Sequence, residues 1–124
     1  MADEVLKHLY DVREAAMAIR AFTAGKSGAD YEQDELLRSA VERKFEVIGE
    51  ALGRIGRNAP GVLTQIREHR SIISFRNILA HGYDAIDDVV VWAILQDDLP
   101  ALLADVNRLI GGSDGDAAKN SPAG

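Results

Sequence analysis

The feature that most constrains the fold is an apolar stripe in the middle of the chain, between Asp30 and Asn58. Its members recur at steps of three and four residues: Leu37, Val41, Phe45, Ile48, Leu52 and Ile55. This spacing places them on one face of an α-helix, and its closeness to a heptad repeat predicts packing against a partner helix at a shallow angle. Asp30, with Gln33 three residues later, predicts a capping box at the start of the helix. Gly49 and Gly53 lower helix stability unless another helix comes close, so we expect a helix contact at both.

The first segment, from about Asp3 to Ala24, shows the same periodicity and predicts another long helix. Its stripe consists of Val5, Leu9, Val12, Ala16 and Ile19. Gly25 should end this helix, because glycine adopts the left-handed backbone of a helix C-terminus that other residues resist. Further along the chain, Val62 to His69 predicts a short helix at most.

The C-terminal half of the chain predicts two more helices. One runs from about Ser71 to His81. The other is capped by Asp87 or Asp88, and its stripe consists of Trp92, Leu95, Leu99, Leu102, Val106 and Leu109. Pro100 lies inside this pattern and should kink the helix or mark a second start, because it has no N–H to donate to the preceding turn.

Length and composition agree with a helical domain. The chain has 124 residues, of which 47% are hydrophobic, which suits one domain with its own core. We predict an all-α, up-down bundle of four to five helices over residues 1–110, and a disordered tail over residues 111–124. The chain lacks a run of about eighteen apolar residues, an apolar segment of a secretory signal, and cysteines. We therefore expect a cytoplasmic protein without a membrane span, disulfides or thiolate metal sites.

The charge distribution counts against binding of nucleic acid over the whole surface, but it is compatible with binding of an anion at one place. A formal net charge of −6 counts against a protein that coats nucleic acid, whose surface should be basic. A local basic cluster nevertheless exists: Arg67, His69, Arg70 and Arg76 lie close together, with only Glu68 opposing them. Both a solvated surface and an anion-binding site are compatible with this cluster.

Four polar side chains of different chemistry follow in one short stretch: Arg76, Asn77, His81 and Tyr83. Each of them would need a polar partner if it were buried, so the stretch predicts a functional site. On an ideal helix, residues five apart point roughly 140° away from each other, so Arg76 and His81 do not share a face. Either the helix ends at Gly82 and lets His81 turn, or a second copy of the helix supplies the missing partner.

The pattern Arg-x-x-x-x-His-x-Tyr, with Asn directly after the Arg, resembles the motif of the HepT-like HEPN family, the toxin half of a two-gene toxin–antitoxin pair. Three further segments match in order and spacing: Ile48-Gly49-Glu50-Ala51, Val91-Trp92 and Asp98-Leu99-Pro100. The resemblance covers the chain from about Asp3 to Ile110.

The resemblance implies a homodimeric endoribonuclease that needs no metal or other cofactor. It assigns the catalytic roles to Arg76 and His81, with Asn77 in support. It also implies a type VII-like toxin–antitoxin system, in which a minimal nucleotidyltransferase antitoxin of the MntA type transfers AMP to Tyr83. Arg67 and Arg70 are candidates for contacts with RNA phosphates. No two histidines lie three or four residues apart, so the sequence predicts no metal site.

From the residues alone, structural roles stay open for the motif. Arg76 could form a salt bridge with Glu46 or Glu50, and Tyr83 could lay its ring on the core with its hydroxyl in water.

For the remaining candidates we predict structural or surface roles. His8 and His69 have no polar constellation around them and are predicted to lie at the surface, and Trp92 fits the core. For the chain as a whole, the alternative to a nuclease is a non-catalytic helical-bundle subunit that binds a nucleotidyltransferase.

Overall fold

The structure, a computed structural model, describes the backbone of residues 1–80 and 87–119 and the side chains of residues 1–79 and 87–112. These ranges contain α1 (Asp3–Thr23), α2 (Gly28–Gln33), α3 (Glu35–Asn58), α4 (Pro60–Leu63), α5 (His69–Ala80), α6 (Asp88–Ala93), a π-helical segment (Ile94–Asp98) and α7 (Leu99–Lys119). Helix α3 packs against both α1 and α5, and α1 also packs against α7. The predicted all-α helical bundle is confirmed.

Helix α1 buries the stripe that its periodicity predicts. Val5 is 4% exposed, and the four residues Leu9, Val12, Ala16 and Ile19 are fully buried. The helix ends close to the predicted position, and Gly25 has a φ of 73°, which confirms its left-handed conformation.

The helix predicted to begin at Asp30 is divided in two, which corrects the predicted capping box. Ser27 caps α2: its Oγ accepts a hydrogen bond from the Asp30 N–H at 3.1 Å, and the Asp30 carboxylate accepts one from the Ser27 N–H at 2.9 Å. Asp34 then caps α3 by accepting from the Leu37 N–H at 3.0 Å. Two capping sites therefore follow each other, and the chain turns at Asp34 between α2 and α3.

Helix α3 buries its whole predicted stripe and approaches α5 at Gly49. Phe45 of α3 stacks on Phe75 of α5 with ring centroids 5.2 Å apart. A Cβ at Gly49 would lie under 3.0 Å from the Cβ and Cγ of Arg76, so only glycine permits this approach. At Gly53 such a Cβ would meet only the side chain of Arg57, which belongs to the same helix. The close contact predicted at Gly49 is confirmed, and the one predicted at Gly53 is wrong.

The last long helix is interrupted by the π-helical segment directly before Pro100. Asp87 caps α6 by accepting from the Val89 N–H at 2.9 Å. Within the π-helical segment, the N–H of Leu99 donates to the carbonyl of Ile94, five residues back. A proline ring clashes with the carbonyl four residues earlier in a regular α-helix, and the wider π turn relieves that clash. The break predicted at Pro100 is thus a change of helix type, with α7 beginning at Leu99.

The apolar stripe of this helix is buried except at its two ends. Trp92 is half-buried and packs against the fully buried Tyr31, with ring centroids 5.6 Å apart. Leu109 is half-buried as well. The structural role predicted for Trp92 agrees with this contact between α2 and α6.

Helix α7 continues past the domain boundary predicted at Ile110. It reaches Lys119, although Gly111 and Gly112 are exposed and a Cβ at either would meet no atom within 4 Å. The division into residues 1–110 and a disordered tail at 111–124 stays a prediction. Among the helices within the described ranges, none is long and apolar enough to cross a bilayer.

Candidate active site

Helix α5 carries the first half of the polar motif. Ile72 and Phe75 are 0% and 5% exposed, and their burial fixes the rotation of the helix about its axis. As a result, Arg76 is half-buried and Asn77 is exposed. Helix α5 is regular up to Ala80, the residue before His81.

The Arg76 side chain is positioned by packing of its methylene groups and not by an ion pair with a described residue. Its Cβ and Cγ pack directly on the backbone of Gly49 in α3. Its Nη1 donates to the Asn77 Oδ1 at 3.4 Å, which is long for a hydrogen bond and therefore weak. Most of the five N–H donors of this guanidinium thus have no acceptor among the described residues, so they can bind an anion.

The salt bridge from Arg76 to Glu46 or Glu50 is not formed. Glu46 pairs with Arg43 at 3.4 Å, and Glu50 pairs with Arg54 at 3.0 Å. Arg76 forms no ion pair with any residue in the described part of the chain. The predicted alternative of a salt bridge from Arg76 to Glu46 or Glu50 is therefore wrong, and the role of its guanidinium stays a prediction.

The second half of the motif, His81 and Tyr83, lies outside the described residues. Their roles stay predictions, as does the alternative that the Tyr83 ring packs on the core.

Comparison with known proteins places the chain in a family. The sequence model of the family described as Ribonuclease HepT-like matches residues 12–109, which include the whole motif. The chain belongs to this family. The resemblance to HepT-like HEPN proteins is thereby confirmed.

Individual relatives agree with the assignment. A protein of Methanocaldococcus jannaschii provisionally named RNase is 30% identical over 103 residues, 83% of this chain and 94% of that protein. A protein of Thermococcus cleftensis provisionally named ribonuclease HepT is 30% identical over 105 residues, 82% of this chain and 92% of that protein. A second M. jannaschii protein, named gamma-glutamylcyclotransferase and provisionally RNase, is 26% identical over 113 residues, which cover 89% of this chain but 49% of that protein. No solved structure matches the chain significantly.

The HepT-like chain has an apolar groove of about 360 Å³ beside the motif helix, between α5 on one side and α6 with the start of the π-helical segment on the other. It is lined by Ser71, Ser74, Phe75, Ile78, Asp87, Val90, Val91 and Ile94. The Ser71 Oγ donates to the Asp98 Oδ2 at 2.9 Å and so ties the first turn of α5 to the π-helical segment. Ile78 is 46% exposed at this groove.

One member of the basic cluster predicted before the motif, Arg67, is held by a carboxylate from α7. The Asp105 Oδ2 accepts from the backbone N–H and the Nε of Arg67, both at 2.9 Å, and its Oδ1 accepts from the Arg67 Nη2 at 3.1 Å. The Arg108 Nη2 donates to the same Oδ1 at 3.4 Å. Arg70 is exposed and has no hydrogen bond or ion pair with a described residue.

Asp105 and Arg108 were not among the residues that the sequence patterns indicated. Asp105 is only 5% exposed, yet the hydrogen bonds from Arg67 hold the pKa of this carboxyl at about 2, against the effect of burial. One signal was present in the sequence: Asp105 stands directly before Val106, among apolar residues of α7. A single acidic residue on a buried helix face needs a cationic partner from elsewhere in the fold.

The surface position predicted for His8 is wrong. His8 is 4% exposed, because Val47 and Ala51 of α3 line the same small cavity between α1 and α3. Its Nδ1 lies 3.8 Å from the Asp11 carboxylate, and its Nε2 has no hydrogen-bond partner among the described atoms. His69, also predicted at the surface, is half-buried at the first position of α5.

Proposed function

We propose that this HepT-like chain is an endoribonuclease that cleaves RNA without a metal ion, with Arg76 and His81 as catalytic residues and Asn77 in support. The observation that carries the proposal is the state of Arg76: a side chain fixed by packing on Gly49, with a guanidinium that no described acidic residue neutralises. Relatives provisionally named RNase and ribonuclease HepT support the same class of activity.

These residue types suit cleavage by the internal nucleophile of RNA. The ribose 2′-oxygen gives up its proton and bonds to the adjacent phosphorus, while the bond from phosphorus to the 5′-oxygen breaks and that oxygen gains a proton. The imidazole of His81 can accept or donate a proton near neutral pH. The planar guanidinium of Arg76 can hold two phosphate oxygens and stabilise the additional charge of the transition state. DNA lacks the 2′-hydroxyl and should not be cut.

We further propose that the enzyme is a homodimer in which the motif helices face each other across a two-fold axis. Within one helix, a residue five positions after Arg76 points roughly 140° away from it on ideal geometry. A second copy lets Arg76 of one chain act with His81 of the other, so that the cleft is lined twice by the same residues. The exposed Ile78 on α5 provides apolar surface for such a contact.

The same site suits control by a nucleotidyltransferase antitoxin, as in a type VII-like toxin–antitoxin system. We propose Tyr83 as the acceptor: its hydroxyl oxygen attacks the α-phosphorus of ATP, a tyrosyl phosphodiester forms, and pyrophosphate leaves. The added AMP places a negative charge close to Arg76 in sequence, where it competes with the RNA phosphate for the guanidinium.

Cleavage of RNA in excess EDTA by wild type, Arg76→Ala and His81→Ala tests the catalytic proposal. Each substitution should lower the rate by about 10²–10⁴-fold, while the helical circular-dichroism signal is retained. The wild-type products should carry 2′,3′-cyclic phosphate and 5′-hydroxyl ends. Arg43→Ala is the matched control, because Arg43 is an exposed arginine of α3 in a surface salt bridge, and it should cleave like wild type.

Two results would contradict the proposal. Cleavage that stops on chelation would mean that a metal is required. A wild-type protein that binds its nucleotidyltransferase but leaves RNA intact would favour the alternative, a non-catalytic binding subunit.

A further inference from the structure

The carboxylate of Asp105 fixes two guanidinium groups at once. Arg67 contacts both of its oxygens and Arg108 contacts one of them. One negative charge would be balanced by one arginine, so the second arginine leaves an excess positive charge at this point. If Asp105 served only to anchor the turn before α5, its contact with Arg67 would be sufficient, and the second contact with Arg108 would not be needed.

Both guanidinium groups are held from behind and remain open to water. The Arg67 and Arg108 side chains are 65% and 58% exposed, whereas the Asp105 side chain is 7% exposed. Arg108 is fixed a second time by a bond from its Nη2 to the carbonyl of Gln65 at 3.3 Å. An arginine loses side-chain entropy when it binds an anion, and here part of that loss has occurred before any ligand arrives.

Arg70 adds a third cation on the same side of the fold. A surface concavity of about 280 Å³ is lined by Arg67, Glu68, Arg70 and their neighbours in the turn before α5. Glu68 is the one acidic side chain among the residues that line it. Two arginines therefore stand against one carboxylate among the side chains that line the concavity, on a protein whose formal net charge is −6. Arg108 joins this group through the Asp105 carboxylate, which it shares with Arg67.

We propose that Arg67, Arg70 and Arg108 form a second phosphate-binding site for single-stranded RNA, away from the bond that is cut. The inference rests on the proposed nuclease function and extends it to the length of the substrate. Arg70 precedes Arg76 by six residues on the same helix, about 9 Å along the axis at 1.5 Å per residue and roughly 120° around it, so the two guanidinium groups belong to separate sites. A dinucleotide has one phosphodiester and can occupy only one of the two sites, whereas a longer RNA occupies both. Asp105 acts as a positioning residue that orients Arg67 and Arg108.

Binding of a 2′-O-methylated RNA of about 12 nucleotides, which cannot be cleaved, tests the site independently of catalysis. Fluorescence anisotropy over a range of salt concentrations gives the slope of log K against log salt, and each phosphate of a single strand that the protein neutralises adds about 0.7 to its magnitude. Because the second site binds one phosphate, we expect this magnitude to decrease by about 0.7 in Arg70→Ala combined with Arg108→Ala. The difference in affinity between wild type and this double variant should become smaller as the RNA is shortened to a dinucleotide. This double variant keeps the Arg67–Asp105 pair, so its thermal midpoint should stay close to wild type.

Arg20→Ala is the matched control, because Arg20 is an exposed arginine in the last turn of α1 and should not change the slope. An unchanged slope in the double variant, or an equal decrease in affinity for dinucleotide and long RNA, overturns the second site even if the protein cleaves RNA. A reduced slope in a protein that fails to cleave RNA keeps the second site and removes the nuclease proposal.

Discussion

Arg76 of α5 and Arg67, which precedes α5, are held in different ways. The Arg67 guanidinium is oriented by the buried Asp105 carboxylate, with both oxygens within 3.1 Å. Arg76 is anchored through its Cβ and Cγ on Gly49, and within the described part of the chain its guanidinium makes only a long hydrogen bond to Asn77. An arginine whose stem is packed loses little freedom when it binds a phosphate, which is what transition-state stabilisation requires.

Tyr83 is the residue on which the proposed regulation depends. Tyr83→Phe keeps the ring and removes the acceptor oxygen, so this variant should stay active on RNA and gain no AMP from the antitoxin and ATP. Intact-mass spectrometry of both proteins after the same incubation measures the difference, and Tyr10→Phe is the control for a tyrosine outside the motif. If wild type and Tyr83→Phe gain the same number of AMP groups, Tyr83 is not the acceptor.

Asp105 should make the stability of the fold depend on pH in the acid range. Its pKa is about 2 in the folded chain against an ordinary value of 3.8, so its stabilising effect is complete above about pH 4 and is lost as the pH falls towards 2. Asp105→Asn should lower the free energy of unfolding by roughly 2 kcal/mol at pH 7 and by progressively less below pH 4.

Urea denaturation followed by circular dichroism from pH 7 to pH 3 measures this difference. Asp97→Asn, at an exposed aspartate of the π-helical segment, should change the free energy of unfolding little at any pH. A difference between wild type and Asp105→Asn that does not shrink towards acid pH would contradict the role given to the charge of Asp105.

At the scale of elements, the contact between α3 and α5 positions the candidate site. Phe45 and Phe75 stack across it, and Gly49 lets the backbone of α3 touch the stem of Arg76. The Ser71–Asp98 hydrogen bond ties α5 to the π-helical segment as well. Helix α5 is therefore fixed by a packing contact to α3 and a hydrogen bond to the last long helix, and the direction of Arg76 follows from both.

Gly49→Ala and Gly53→Ala should have opposite effects, although both replace a glycine of α3. At Gly49 the methyl group meets the Cβ and Cγ of Arg76, so overpacking should cost about 1–3 kcal/mol of stability and displace Arg76, the proposed catalytic arginine. At Gly53 it meets only the flexible end of Arg57 at 3.6 Å, so alanine should stabilise the helix by about 1 kcal/mol.

Urea denaturation and RNA cleavage rates, measured on the same preparations, test both glycine substitutions. Gly53→Ala should cleave RNA like wild type, whereas Gly49→Ala should cleave more slowly. Equal stability and equal activity of the two variants would show that the approach of α5 to Gly49 does not control the site.

In the molecule as a whole, three large apolar side chains near the motif helix α5 are exposed. Ile78, Val90 and Val89 are 46%, 52% and 64% exposed. Ile78 and Val90 both line the groove beside α5. Apolar surface concentrated next to a polar motif is typical of an interface, and in the proposed homodimer it would be shared by two copies.

Ile78→Glu should therefore separate the dimer into monomers and abolish RNA cleavage, because a charge would be buried between the two motif helices. Leu36→Glu is the matched control: Leu36 is 80% exposed at the start of α3, and its substitution should leave the dimer and its activity unchanged. Sedimentation velocity at micromolar concentration measures the assembly. A wild-type protein that sediments as a monomer would remove the dimer, and with it the shared cleft.

The helices and most of their buried faces could be predicted from the order of residues. An α-helix has 3.6 residues per turn, so apolar residues spaced three and four apart in α1 and α3 lie on one face of each helix. That face is the one that is buried. The left-handed Gly25 and the cap at Asp87 were equally local, since each depends on the chemistry of a few adjacent residues. The family and the motif with Arg76 and Asn77 also came from residue type and order alone.

Which charged and polar groups meet could not be predicted, because it depends on how the helices pack. The pairing of Arg67 with Asp105, the burial of His8 under α3 and the absence of a described acidic partner for Arg76 each depend on how two helices are placed side by side. The spacing of residues along one helix carries no information on the rotation and offset of its neighbour. Helix packing therefore determines which charged residues pair when they are far apart in the sequence. Sites that depend on such pairs can be found only from the folded structure.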